Sequence, residues 1–245
     1  MGRLNKLLLV SGAVVSFITP VYASTTGSVG SPNVTAGKTE VIARFGYSEA
    51  EESSSQDERL RSRIHIDHGF TDFYAGRLII AQDKRKNDSY EHDQVTFENR
   101  LHLLKSADHG FDFGVRGSYS HKDGDKTPSS VAFGLYELVP LNDYQLRANQ
   151  IFDHDVGEGA GDGVSAELRL QVTRKLENSH RAGLESFHDF GNLTTLSGYS
   201  TQSHTFGPVF KGPLWGDLKY ETGYRLGVSE AAPDHSIKFF VARSF

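Results

Sequence analysis

Cysteine is absent from the 245 residues, which excludes disulfides, thiolate nucleophiles and Cys-ligated metal sites. Methionine and tryptophan occur once each. Beyond the first two dozen residues no apolar run approaches the ~20 residues of a membrane-spanning helix, so any insertion into a bilayer must be by strands. Basic residues do not dominate either. Lys and Arg number 26 against 31 Asp and Glu, a net charge of −5, and no basic tail or stripe points to nucleic acid. Mean hydropathy is −0.43. That value argues against a helical membrane protein but not against a barrel, whose strands alternate apolar-out with polar-in.

What is present favours strands and tight turns: 25 Gly, 16 Phe and 10 Tyr. Arg3 and Lys6 precede an apolar run at 7–18, and Val21-Tyr22-Ala23 precedes Ser24. This is the layout of a secretory signal peptide over residues 1–23, with cleavage expected after Ala23. The run is too short to span a bilayer as a helix, and an uncleaved anchor is the alternative. Losing two positive charges with the leader takes −5 to −7. Residues 24–38, rich in Ser, Thr, Gly and Pro, are expected as a flexible periplasmic lead-in, and 39–245 as one β domain.

Twelve strand candidates follow, each near the ~10 residues of a barrel span. They cover 39–48, 58–68, 73–83, 94–104, 111–121, 130–139, 144–153, 164–173, 181–189, 204–211, 218–228 and 236–245. Val41, Ala43, Phe45 and Tyr47 share a face, as do Val95, Phe97, Leu101 and Leu103. Val164, Ala166, Leu168, Leu170 and Val172 repeat the pattern, and so do Leu218, Tyr220, Tyr224, Leu226 and Val228. The third and sixth candidates are ambiguous in phase, which leaves Arg77 unassigned between lumen and lipid. Connections alternate as well. Short ones at 69–71, 106–110, 140–143, 175–180 and 213–216 are interleaved with mostly longer, more polar ones at 49–56, 84–92, 122–128, 154–163, 191–202 and 229–235. Short turns at one end and long loops at the other are the pattern of a membrane barrel, and an even strand count places both termini in the periplasm.

In the last candidate, Ile237, Phe239, Val241 and Phe245 share one face, with Ser236, Lys238, Ala242 and Ser244 on the other. Arg243 breaks the apolar face, which an arginine near a membrane–water boundary tolerates by snorkelling. Alone, the segment also fits an edge strand of a soluble sandwich. An alternating strand that ends on a bare Phe resembles the closing strand of bacterial outer-membrane β-barrels. That resemblance implies an assembly signal in Phe239, Val241 and Phe245, read by the barrel assembly machinery. Together these features predict an all-β, transmembrane antiparallel up-and-down barrel of about 12 strands.

The inward faces of such a barrel are cation-rich although the chain is anionic. Arg59, Arg61, Arg63, His65 and Asp67 line one strand, and Arg100, Arg116, Arg147, Arg169, Arg181, Lys219, Arg225 and Lys238 are placed inward on others. Inward acids by the same phase are Asp67, Glu98, Asp112, Glu167, Glu185 and Glu221, while loops 49–58 and 153–162 hold further acids. A cationic wall in a narrow channel concentrates anions, and Arg binds carboxylate or phosphate bidentately. These eleven Lys and Arg residues are the anion-selectivity candidates. Cross-bracing is the alternative, with Arg100–Glu98, Arg169–Glu167 and Arg225–Glu221 as pairs. Arg59, Arg61 and Arg63 are different, because three like charges on one strand need an anion among them. Glu98, Glu221 or a solute would serve.

A small barrel of about twelve strands with arginine tracks is similar to the oligogalacturonate-specific porin family in architecture, length and charge layout. That resemblance implies passage of acidic oligosaccharides. The stretches Gly207-Pro208-Val209-Phe210, 220–227 and 231–234 resemble the C-terminal portion of a broader group of small proteobacterial outer-membrane proteins.

Hydrolytic constellations are present in composition only. Ser186 with His188, or Ser203 with His204, has the ingredients of a lipid hydrolase, and Asp153-His154-Asp155 those of a barrel protease. Asp153, Asp155, Glu158 and Asp162 are oxygen donors suited to Ca²⁺, although their spacing is not an EF-hand. No catalytic residue, metal or cofactor is assigned. The expected role is a porin-like channel of the outer membrane for small hydrophilic, anionic solutes, with outer-membrane lipid around it. A lipid-modifying or proteolytic barrel enzyme and a structural or adhesive barrel are the alternatives.

Overall fold

A computed structural model describes residues 25–122 and 128–245. The expected leader and its cleavage after Ala23 lie outside the described residues. All twelve expected strands are present. They are β1 (Thr39–Glu49), β2 (Arg59–Gly69), β3 (Tyr74–Lys84), β4 (Glu91–Leu104), β5 (Asp112–Lys122) and β6 (Ser129–Leu141), followed by β7 (Tyr144–Val156), β8 (Ser165–Lys175), β9 (Arg181–Asn192), β10 (Ser203–Pro213), β11 (Leu218–Gly227) and β12 (His235–Ser244). Each pairs antiparallel with its sequence neighbours, and β1 pairs with β12 from Glu40↔Ser244 to Glu49↔His235, so the sheet is a closed up-and-down barrel. Closure leaves no free edge. Phe245 completes the seam: its N–H donates to the Thr39 carbonyl at 2.8 Å and its carbonyl accepts from Thr39 N–H at 3.2 Å.

The burial pattern is that of a soluble sandwich turned inside out. Apolar residues on the outward phase are exposed, Phe45 at 48% and Phe97 at 57%, whereas Arg225 and Lys238 on the inward phase are 2% and 1% exposed. A sandwich would bury the first set and expose the second. Phe239 and Phe245 stand on the outward side with Val241 beside them. Arg243, also outward, lies over the Phe245 ring at 5.0 Å.

The two strands without a clear phase are those with apolar residues on both faces. In β3, Ala75, Ile79 and Ala81 are buried inward while Ile80 is exposed outward, and Arg77 falls on the lumen side. In β6, Tyr136 and Leu138 point inward against Val131 and Phe133 outward. Connections at the Thr39 end are short, tightest at residues 142–143, where Asn142 takes φ 53°. Asn tolerates this left-handed conformation better than most residues. Loops at the opposite end are longer, and 193–201 carries two 3₁₀ turns.

Where β10 meets β11 the backbones touch. A Cβ on Gly207 would lie 1.9 Å from the Tyr224 carbonyl oxygen and 2.9 Å from Arg225 Cα. Backbone atoms cannot rotate away as a side-chain tip can, so Gly207→Ala should destabilise the barrel by ~1–3 kcal/mol. The check is the urea midpoint of the heat-modifiable folded band. An unchanged midpoint would mean that the strands part there without cost.

Candidate functional site

Of the stretch expected as a flexible periplasmic lead-in, the described residues from Thr25 onward enter the barrel. Thr25, Thr26 and Val29 are at most 2% exposed, and Val29 packs on Phe187 of β9. From Lys38 at the turn end the segment runs up the lumen to Thr25, opposite Gly46. Its small residues fit a narrow bore, and glycines in the wall make room for it. A Cβ on Gly46 would sit 2.7 Å from the Thr25 backbone, and one on Gly69 would sit 2.0 Å from the Thr35 carbonyl oxygen. Only glycine allows such backbone approach.

Wall cations bind this plug by its carbonyls. Arg225 donates to Thr25 O at 2.8 Å, Lys238 to Gly27 O at 3.5 Å and Arg169 to Ser28 O at 3.2 Å. Arg147 donates to Val29 O at 3.3 Å and Arg100 to Ser31 O at 3.4 Å. Asn149 bonds Gly30 twice, accepting from its N–H at 2.6 Å and donating to its carbonyl at 3.2 Å. A plug without charged side chains thus satisfies part of the lumen's cation excess through peptide oxygens.

The rest is largely ion pairing, in which one of the three expected braces forms and the other two are redistributed. Arg169–Glu167 forms at 2.6 Å. Arg100 goes to Asp67 at 3.4 Å rather than to Glu98, and Glu98 takes Arg77 at 3.3 Å and Arg116 at 3.0 Å. Asp67 also holds Arg77 at 2.5 Å. Glu221 accepts from Lys238 at 2.8 Å instead of Arg225, and Lys238 also reaches Glu185 at 2.8 Å. Arg225 lies 4.0 Å from Glu185, with its guanidinium 4.3 Å from the Phe187 ring centroid. Such shared networks hold strands together, and removing one member strands its partner's charge.

On β2 the expected anion among the three arginines is neither Glu98 nor Glu221. Arg59 is bidentate to Asp83, with contacts of 2.7 and 2.8 Å, and Arg61 pairs with Asp93. Asp93 precedes the expected start of its strand, because β4 begins at Glu91. Arg63 forms no ion pair among the described residues, and its Nε has no hydrogen-bond partner. Directly across the ladder from it is Arg44 of β1, equally without a carboxylate and resting 4.8 Å from the Phe240 ring. His65, two residues beyond Arg63, is 2% exposed with both ring nitrogens unpartnered. Arg44 is absent from the sequence-derived candidates although its phase is legible, since Val41, Ala43, Phe45 and Tyr47 place it inward. Lys211 is a second omission; it lies inward on β10 and donates to Gln171 at 2.5 Å.

Arg44, Arg61, Arg63, Arg100, Arg116, Arg147 and Arg169 converge on a cavity of about 560 Å³ beside the plug. Its lining reaches from Lys38 and Gly69 at the turn end to Lys122 and Ser130 at the loop end. The plug narrows the lumen and leaves space along the β1–β8 side. Arg59, Arg181, Lys219, Arg225 and Lys238 stand away from this cavity. Arg181 bonds Thr173 and the Asp143 carbonyl at the turn end, and Lys219 is exposed at the same rim.

Of the hydrolytic constellations, Ser186 and His188 do meet, at 3.1 Å on the outward face. Ser203 Oγ has no partner among the described residues. His154 bonds the Gly163 carbonyl at 2.6 Å. Among the described residues no group of three His, Asp or Glu gathers as for a metal, so Asp153, Asp155, Glu158 and Asp162 do not converge.

No family model matches the sequence, and no curated protein matches it. Solved structures do. An outer-membrane channel from Pseudomonas putida F1 matches with a TM-score of 0.65 at 10% identity, over 86% of this chain and 97% of that one. The KdgM porin, solved in complex with disordered oligogalacturonate, matches with a TM-score of 0.55 at 9% identity, over 84% and 98%. At these identities the likeness shows the fold alone, which in this chain is a closed, twelve-stranded antiparallel barrel. The architectural resemblance read from the sequence holds.

Proposed function

We propose that this chain is an outer-membrane channel through which small hydrophilic solutes diffuse passively, with anions favoured. The outward apolar belt suits lipid, and the cavity beside the plug offers the path. Anion preference rests on one observation, the Arg44–Arg63 pair. Like charges directly opposite on adjacent strands repel. Among the described residues every other lumen arginine except Arg181 has a carboxylate or a plug carbonyl to offset it, whereas these two have neither and line the cavity. In a narrow bore with low-dielectric walls, an uncompensated pair focuses potential along the path and raises the local concentration of anions.

The test is single-channel recording of the refolded chain in a planar bilayer. The expected result is small, steady conductance with a reversal potential on the anion side under a salt gradient. A barrel that inserts and stays silent, or one that prefers cations, would falsify this reading. In the same reading the Phe239, Val241 and Phe245 face of β12 is the segment offered to the assembly machinery.

A further inference from the structure

On the outward wall, where β9 and β10 pair, four polar side chains form a directed chain. Gln202 Nε2 donates to the Ser197 carbonyl at 2.8 Å, which turns its Oε1 toward His204. His204 Nε2 lies 3.1 Å from that oxygen and so carries the proton, leaving its Nδ1 as an acceptor. His188 Nδ1, 3.2 Å away, must then be the donor, so His188 Nε2 bears the free lone pair. Ser186 Oγ sits 3.1 Å from that nitrogen and donates to it. One amide orientation therefore fixes both tautomers and leaves a hydroxyl bonded to a basic imidazole, which is the arrangement that activates a serine nucleophile.

Mutual satisfaction of polar groups on an apolar face would account for the hydrogen bonds alone. Two further features go beyond it. The far end of the relay is shielded, with His204 4% exposed beneath the Tyr199 ring at 4.6 Å, while Ser186 and His188 remain part-exposed. Ser186 also borders an outward groove of about 430 Å³, walled by Ala148, Val172, Leu184 and Phe206. That volume falls in the ~300–1,000 Å³ range of small-molecule sites, and nearly all of its surface is apolar.

We propose that Ser186 is the nucleophile of an acyl-ester hydrolase site on the outer wall, with the acyl chain of a membrane lipid in the groove. This rests on the reading that the outward face meets lipid. Ser186 Oγ attacks the ester carbonyl carbon as its proton passes to His188 Nε2. His204 Nδ1 holds the resulting imidazolium by accepting from His188 Nδ1. The acyl C–O bond to the alcohol breaks, and the alcohol leaves with the proton from His188. Water then opens the acyl-serine by the same route, releasing the fatty acid. His188 is the general base, and His204 and Gln202 are positioning residues.

The experiment uses the full refolded chain in detergent micelles with hexadecanesulfonyl fluoride, a serine-reactive probe carrying an acyl-length chain. Folding is scored by heat-modifiable mobility and the labelled residue by peptide mass. The expected result is sulfonylation at Ser186, abolished in Ser186→Ala and slowed ~10²-fold or more in His188→Asn, as for loss of a general base. His204→Asn should lower the rate less and shift its pH profile. A folded wild-type chain that takes no label at Ser186, or one labelled as fast in His188→Asn, overturns the proposal. Insertion of the same preparation into lipid vesicles is scored separately and tests the membrane reading alone.

Discussion

Removing residues 25–36 should raise single-channel conductance several-fold while the barrel still folds. The plug occupies the lumen without contributing a strand, so β1 to β12 keep every ladder bond without it. Its hold is also narrow in margin. A hydrogen bond to a charged donor contributes ~1.5–3 kcal/mol, and fixing one residue's backbone costs ~1–2 kcal/mol. Over the seven residues from Thr25 to Ser31 the wall supplies five such bonds, so the two effects nearly cancel, and burial of Val29 against Phe187 tips the balance. A point variant should act like the deletion. Gly46→Leu places a side chain where the Thr25 backbone runs, so barrel and plug can no longer occupy that position together. Both variants are to be recorded in one bilayer setup. Wild-type conductance from both would mean that the segment does not restrict the path.

The strands were legible because a barrel writes its fold into two periodic signals, alternation along each strand and alternation of short and long connections. Ambiguity arose only where the lumen itself is partly apolar, at Ile79 and Ala81 in β3 and at Tyr136 and Leu138 in β6. The plug was illegible for a different reason. A Ser, Thr and Gly-rich segment has the same composition whether it is solvated or hydrogen-bonded through its carbonyls. Its signal lay elsewhere, in the excess of inward cations over inward acids, which the plug's peptide oxygens partly satisfy. Partner identity was likewise out of reach. Phase fixes which residues share the lumen, but strand tilt and register decide that Arg100 reaches Asp67 and that Lys238 takes Glu221. The Ser186–His188 pair was visible as a pair, whereas its extension through His204 to Gln202 depends on the β9–β10 register, His188↔His204.

Replacing Arg44 and Arg63 together with Gln should shift the reversal potential toward cations without loss of stability. Most buried charges in this wall sit in networks, and breaking one costs several kcal/mol because its partner is left exposed to a poor solvent. Asp67→Asn belongs to that class, since it strips a carboxylate from Arg77 and Arg100, and it should lower the urea midpoint. Arg44 and Arg63 have no such partner among the described residues. Their opposition across the β1–β2 ladder is unfavourable by up to ~1 kcal/mol, so the double variant should unfold at the same urea concentration or higher. Arg59→Gln and Arg61→Gln should change selectivity less, because Asp83 and Asp93 already offset those charges. Ionic strength separates a field effect from a steric one. The Debye length is ~10 Å at 0.1 M salt and ~3 Å at 1 M, so the difference between wild type and the double variant should be large in dilute salt and shrink in concentrated salt. A double variant with wild-type reversal potential in 0.1 M salt would assign selectivity to another part of the lumen. A collapsed urea midpoint would show the pair to be structural, with an anion or ordered water between the two guanidinium groups as part of the fold.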